Sequence, residues 1–300
     1  MKYLSFNQLI YWYRKYIPEK IRYFIRKSIP FWIQLRFFAF KTKLFNFNSE
    51  SHEEAKKIID LCQKLKIYKG YYVDIGASDG WSSSSTFTFA KNDNFSGLSI
   101  ELNKKAYKKM EFIYKKFKNI QLSNSKVTPD NVLELFEKNN VPKHFDILNL
   151  DIDSYDLFVV KSLLSIYKPK IIFMEINEKI PPPIYFTVLY DENHFWQVDD
   201  FYGCSLQAAY EELSKFGYKL IELVYQNAIF IPTDLNINIS NLSPSVAYEK
   251  GYLNKPDRKE RFHYNNKHEI LLGMNQEDSI DYINELFKDY KKKYKIESRN

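Results

Sequence analysis

The sequence predicts a doubly wound α/β domain over residues 49 to 232, with seven strands, the last pair antiparallel, and helical extensions on both sides. Three observations predict it. From residue 52 onward, amphipathic helical patterns alternate with short buried runs rich in Val, Ile, Leu and Phe. One such run, Val73-Asp74-Ile75, breaks sharply into Gly76-Ala77-Ser78-Asp79-Gly80 before the next helix. The last two runs, Tyr218 to Val224 and Asn227 to Ile231, are joined only by Tyr225-Gln226, a connection that antiparallel neighbours alone permit.

Each element follows in order. His52 to Lys66 reads as a helix with Ala55, Ile58, Ile59 and Cys62 on one face. Tyr71 to Ile75 is the first strand, and Ser82 to Ala90 begins a helix. Gly97 to Ile100 is the second strand, Lys104 to Phe117 a helix, and Ile120 to Leu122 a weak third strand. Pro129 to Lys138 reads as a helix with proline in its first turn. Phe145 to Leu150, the helix Tyr155 to Ile166 and Lys170 to Glu175 complete the parallel part. Asn177 to Tyr202 reads as one long loop before the helix Ser205 to Phe216. After Pro232, residues 233 to 300 read as a connector and a charged helix, Gln276 to Lys293, peripheral to the core.

The leader, residues 1 to 48, has a different character. Of the chain's net +7, residues 1 to 44 carry ten cations against Glu19 alone, which leaves the remainder at −2. Aromatic residues, among them Trp12, Trp32, Phe37 and Phe40, are interleaved with these cations, and Pro18 and Pro30 divide the segment into short helical pieces. Two readings stand: a helical cap on the main domain, or a peripheral contact with an anionic membrane surface. Its most apolar stretch is too short to span a bilayer. Two cysteines, Cys62 and Cys204, make no disulfide framework and suit a reducing, cytoplasmic setting. The near-neutral region after residue 44 argues against nucleic acid as a partner. The sequence carries no reading of oligomeric state.

The bend after Ile75 is the most informative run. Gly76 frees the backbone and lets a ligand approach it. A dinucleotide fingerprint needs glycine at position 78, which is Ser, and a phosphate loop needs Lys after Gly80, where Trp81 stands. A second carboxylate, Glu101, ends Leu98-Ser99-Ile100, a position from which it can accept both hydroxyls of a ribose. Further along, Asp151-Ile152-Asp153-Ser154-Tyr155-Asp156 closes the fourth strand and Glu175-Ile176-Asn177 the fifth. If those strands are neighbours, Asp151, Glu175 and Asn177 converge above the sheet, and so many anionic oxygens require a cation or a raised pKa.

The bend resembles the first motif of class I S-adenosylmethionine methyltransferases, with Ser78 where many members carry Gly. The resemblance implies a Rossmann-like class I methyltransferase sheet and S-adenosylmethionine as cofactor. It places Asp74, Gly76, Ala77, Ser78, Asp79, Gly80, Glu101 and Asp151 around that cofactor. Within that class, the bend, Asp151-Ile152-Asp153 with Tyr155-Asp156, Lys168-Pro169-Lys170 leading to Glu175-Ile176-Asn177, and Phe201-Tyr202-Gly203-Cys204-Ser205-Leu206 resemble successive landmarks of the FkbM-like branch. That implies O-methylation of a small molecule or glycan hydroxyl, commonly a sugar in surface polysaccharide or natural-product biosynthesis.

Similarity to catechol and sugar O-methyltransferases at the fourth and fifth strands implies Mg²⁺, or another divalent cation, on Asp151, Glu175 and Asn177. The alternative is that Asp151 touches cofactor or acceptor while Asp153 and Asp156 cap the following helix. Asp151, Asp153 and His194 are the catalytic candidates, His194 as a loop base or an exposed bystander. Pro181-Pro182-Pro183-Ile184-Tyr185 resembles the Pro-Pro-Tyr motif of amino-methylating enzymes but follows the wrong strand. The competing functions are a catalytically silent cofactor-binding or membrane scaffold, and a protein or RNA methyltransferase.

Overall fold

The computed structural model describes residues 16, 21, 29–44, 52–82, 84–235 and 239–299. The chain divides into two compact units, Met1–Asn48 and Ser49–Asn300. In the first, the described element is the helix α1, Phe31–Leu44. No helix among the described residues is long and apolar enough to cross a membrane.

The second unit begins with the helix α2, His52–Lys64, and is built on a seven-stranded sheet. Its strands are β1 (Gly70–Ile75), β2 (Phe95–Ile100), β3 (Ile120–Ser123), β4 (His144–Leu150), β5 (Lys168–Glu175), β7 (Tyr218–Val224) and β8 (Asn227–Pro232), while β6 (Tyr185–Val188) lies outside it. The spatial order is β3-β2-β1-β4-β5-β8-β7. β1 to β5 run parallel, and β8 enters antiparallel between β5 and β7. This is the doubly wound, Rossmann-like α/β sheet expected from the sequence, closed by an antiparallel pair.

The central strands read as continuous apolar runs because helices cover both faces. Val73, Ile75, Leu98, Ile100, Ile147, Leu148, Leu150, Ile171 and Ile172 are all completely buried. The order reverses between β1 and β4, both of which start from the middle of the sheet and lead outward in opposite directions. Ligands of open α/β sheets bind at the carboxyl ends of the strands beside such a reversal. Here that crevice lies between the bend after Ile75 and the turn after Leu150.

Several helices are shorter than the periodicity suggests, each for a local reason. The segment from Ser82 becomes helical only at α3, Phe87–Ala90, because Ser84 Oγ accepts the backbone N–H groups of Thr86 and Phe87 and holds a turn there. The segment from Pro129 becomes helical only at α5, Val132–Lys138, behind a Thr128–Asn131 turn in which each side chain accepts from the other's backbone. By contrast, α4, Lys104–Tyr114, starts where its sequence says, with Asn103 Oδ1 accepting from Lys105 and Ala106.

The C-terminal region is not peripheral. Its last strand, β9 (Tyr294–Glu297), pairs antiparallel with β6 inside the segment read as a loop. A second apolar core forms beneath this ladder from Phe186, Val188, Phe201, Leu271, Ile283 and Phe287. Phe201 stacks on Tyr290 with centroids 3.9 Å apart. The helix Gln276–Leu286 is correspondingly shorter than the charged run suggests.

Candidate functional site

One cavity of about 1270 Å³ opens at the carboxyl ends of β1, β2 and β4. β1 delivers Asp74 to its floor, 2 % exposed. Asp74 accepts from Thr86 Oγ1 at 2.5 Å and from Asn149 Nδ2 at 2.8 Å, so it ties the bend to α3 and to β4. Burial raises its pKa to about 6 against the pull of those two bonds, and the nearby Glu101 adds to the rise.

The bend itself closes through the backbone. Gly76 and Ala77 donate to the carbonyl of Ile100, and Asp151 donates to that of Ile75 at 3.0 Å. Gly76 has φ +87°, and a Cβ there would lie 1.6 Å from the Asp151 carbonyl oxygen. The glycine is therefore demanded by the crossing of β1 and β4, where the sequence suggested room for ligand. Gly80, at φ +70°, is demanded by α4: a Cβ would lie 2.7 Å from Met110 Cγ, and Tyr114 donates to its carbonyl. Gly80 packs behind the cavity wall, while Gly76, Ala77, Ser78 and Asp79 line it. Ser78 takes a left-handed φ of +52°, which accounts for the glycine common at this place in the methyltransferase motif. Asp79 Oδ1 accepts from Trp81 and Ser82 and fixes the end of the turn.

Glu101 meets the bend from β2. Its carboxylate accepts from Ser78 N at 2.8 Å and from Asn103 N at 2.5 Å. Burial raises its pKa despite these bonds. Each carboxylate oxygen has a further lone pair, and Ile100, Leu102 and Asn103 beside it also line the cavity. Asp74 and Glu101 thus belong to one pocket. Ser125, Lys126 and Val127, just past β3, complete this end; no motif in the sequence marked them.

At the other end of the cavity stand the carboxylates of β4 and β5. Asp151, Asp153 and Glu175 each bring a carboxylate oxygen within 4.8 Å of the others. Burial first, then repulsion from neighbouring carboxylates, Asp153 and Asp156 among them, pushes Asp151 and Glu175 well above the usual carboxylate range. Asp153 is raised as well, chiefly by burial, with Lys179 pulling the other way. The backbone turns through Asp153 at a left-handed φ of +53°. Gln226 Nε2 donates to Glu175 at 2.5 Å. Asp156 does not join them; it accepts from the backbone of Ile152 and Ser154 and locks the turn before α6, Asp156–Leu164.

Asn177 is not brought to this cluster as a ligand. It is completely buried, and its Nδ2 donates to the carbonyls of Asp200 and Tyr202 while Oδ1 accepts from Lys179. Its work is to pin the segment 200–205 beneath β5. The same segment threads past β4, where Gly203 donates to the Ser154 carbonyl at 2.8 Å. Asp153 takes the place beside Asp151 and Glu175 that was expected of Asn177. Three hard oxygen donors at these separations suit Mg²⁺ or a similar divalent cation.

His194 lines the cavity and its Nδ1 lies 2.6 Å from Ser154 Oγ, one residue from Asp153. Burial lowers its pKa, so the ring is neutral at physiological pH. Beside it Phe195 and Trp196 remain 50 % and 40 % exposed at the cavity edge. The far wall comes from residues remote in sequence. Arg261 pairs with Glu54 at 2.5 Å and lies 4.0 Å above the Tyr225 ring, and Tyr225 donates to Asp257 at 2.7 Å. No local signal marks these residues, because the wall forms only when the C-terminal segment folds back over the β7–β8 turn.

No protein-family model matches the chain, and no curated protein matches it. Among solved structures it is similar to the N-terminal domain of EvdMO1, crystallised in the presence of SAH and D-fucose, at 11 % identity over 61 % of this chain and 84 % of that one, TM-score 0.41. An S-adenosylmethionine-dependent methyltransferase from Clostridium acetobutylicum is 10 % identical over 66 % of this chain and 98 % of that one, TM-score 0.40. A Staphylococcus aureus protein assigned as a caffeoyl-CoA O-methyltransferase is 16 % identical over 75 % and 98 %, TM-score 0.43. At these scores the assignment of the site rests on its own geometry.

Proposed function

We propose that this protein is an S-adenosylmethionine-dependent O-methyltransferase of the FkbM-like branch, acting on a hydroxyl of a small molecule or glycan. The observation that carries the reading is the single cavity joining the Asp74–Asp79 bend and Glu101 to Asp151 and Asp153, whose carboxylates lie within 4.8 Å of that of Glu175. Around the cofactor, Glu101 would accept the ribose hydroxyls, and Ala77, Ser78 and Asp79 would form the floor under the amino-acid part. The cavity is large enough to admit an acceptor beside a nucleoside-sized ligand. The exposed rings of Phe195 and Trp196 at its edge offer stacking faces to a sugar.

The bound cofactor supplies a methyl group on a positively charged sulfur. The chain's task is to hold the acceptor oxygen in line with it and to take the hydroxyl proton. Held by Glu101 and the Ala77–Asp79 turn, the cofactor would supply the methyl to the acceptor oxygen and would be left as a neutral thioether. Asp151 would orient the acceptor hydroxyl. His194, neutral and steadied by Ser154, has a ring nitrogen able to receive the proton. Asp151, Asp153 and Glu175 would hold a divalent cation, which would fix the acceptor's oxygens and lower the hydroxyl's pKa.

The test is transfer of labelled methyl from S-adenosylmethionine to a panel of monosaccharides, oligosaccharides and catechols. Turnover of a sugar, abolished in Asp151→Asn with cofactor affinity kept, supports the reading. Cofactor binding without transfer to any hydroxyl would favour the silent scaffold. Loss of turnover in chelator, restored by Mg²⁺, would assign the metal; unaffected turnover would remove it.

A further inference from the structure

We propose that the leader docks this protein on an anionic lipid surface through one face of α1. Trp32, Ile33, Phe37 and Phe40 are all exposed, Trp32 and Phe40 at 60 % and Phe37 at 56 %. At about 3.6 residues per turn these four fall within one arc of roughly 140°, and Arg36 lies inside that arc. Phe38 and Thr42 are buried, and they lie on the opposite side. A surface helix ordinarily turns its large apolar residues inward and its polar ones outward. Here a threonine is buried while two phenylalanines and a tryptophan face outward. Ile29, just before the helix, is exposed as well.

The charge of the segment selects the occupant. Residues 1 to 44 carry ten cations against one anion. A second copy of the chain would bring the same excess of positive charge against itself. A bilayer containing anionic lipid complements both the charge and the exposed rings. Arg36 sits 5.6 Å from the Trp32 ring, with its stem along the apolar face, so its guanidinium can reach a phosphate while the ring enters the interface. At 14 residues, α1 is too short to span a bilayer and suited to lie in its surface.

The experiment sediments the full chain with vesicles of phosphatidylcholine alone and of phosphatidylcholine mixed with phosphatidylglycerol. Binding is expected to the mixed vesicles only, and to weaken when salt is raised from about 0.1 M to about 0.5 M. The W32S/F37S/F40S variant should bind the mixed vesicles about tenfold more weakly or worse, with an unchanged thermal transition of the second unit. Arg36→Glu, a single exposed substitution, should weaken binding in the same direction. Absence of binding to the mixed vesicles, equal binding to both kinds, or full binding by the triple variant overturns the proposal. So does a dimer in analytical ultracentrifugation that the triple variant dissolves, because a second copy would then cover the stripe.

Discussion

Replacing Gly76 by alanine separates two meanings of the glycine in the bend. A Cβ at this position would lie 1.6 Å from the Asp151 carbonyl oxygen and 2.7 Å from its carbon. Ordinary contact needs about 3.5 Å, so the ends of β1 and β4 must part by roughly 1.5 to 2 Å. That movement breaks the Asp151–Ile75 backbone bond, worth about 1 kcal/mol. Overpacking of this kind costs about 1 to 3 kcal/mol, and a left-handed alanine at φ +87° about 1 to 2 kcal/mol more. The expected loss is therefore about 3 to 6 kcal/mol, against the roughly 5 to 15 kcal/mol that holds a typical domain folded. Urea unfolding followed by tryptophan fluorescence measures it, with Trp81, completely buried beside the bend, as reporter. The measurement is made without cofactor. If Gly76→Ala is as stable as the parent to within about 0.5 kcal/mol and only cofactor affinity falls, the glycine serves the ligand and the close crossing described here is wrong.

Three further outcomes follow from the same geometry. Ser78→Gly should be neutral or stabilising by up to about 1 kcal/mol, because it relieves a left-handed serine; a clear destabilisation in urea would contradict that backbone assignment. Phe287→Ala, in the core beneath β6 and β9, should cost about 3 to 5 kcal/mol, and a loss below about 1 kcal/mol would return the C-terminal segment to the periphery. Burial raises Asp74 and Asp156 from the ordinary 3.8 to about 6, so each holds its proton more tightly folded than unfolded. These two groups should therefore contribute stability that is present below about pH 4 and is lost as pH rises through about 6, with Asp151 and Glu175 extending the loss upward. A thermal midpoint that falls over that interval in Asp74→Asn as steeply as it does in the parent would refute the assignment for Asp74.

What the sequence made legible is local in the chain. The bend and Glu101 are carried by strand ends whose apolar runs and spacing fix their side of the sheet, and the hairpin at Tyr225-Gln226 follows from its length. Asp151 and Glu175 follow from adjacency of β4 and β5. Misreadings arose where distant segments decide. Tyr185-Phe186-Thr187-Val188 has strand composition, yet it forms a ladder only against Tyr294–Glu297, and no local pattern announces that partner. Asn177 looks like a ligand because it sits beside the motif, but its amide is taken up by the carbonyls of Asp200 and Tyr202, and Gly76, though it lines the cavity, is glycine because the Asp151 carbonyl occupies the place of a Cβ. Arg261 and Glu54 enter the cavity wall through a long-range ion pair between two charged residues that look like ordinary surface groups in sequence.

The central claim is that the bend and Glu101 form a pocket for an adenosyl sulfonium. Isothermal calorimetry of S-adenosylmethionine binding to the parent chain and to Glu101→Gln tests it most directly. Glutamine keeps an acceptor for one of the Ser78 and Asn103 N–H groups but loses the charge that strengthens a ribose contact. The account predicts saturable binding by the parent and an affinity about 10- to 100-fold lower in the variant. No heat of binding in the parent, or equal affinity in the two proteins, would contradict it.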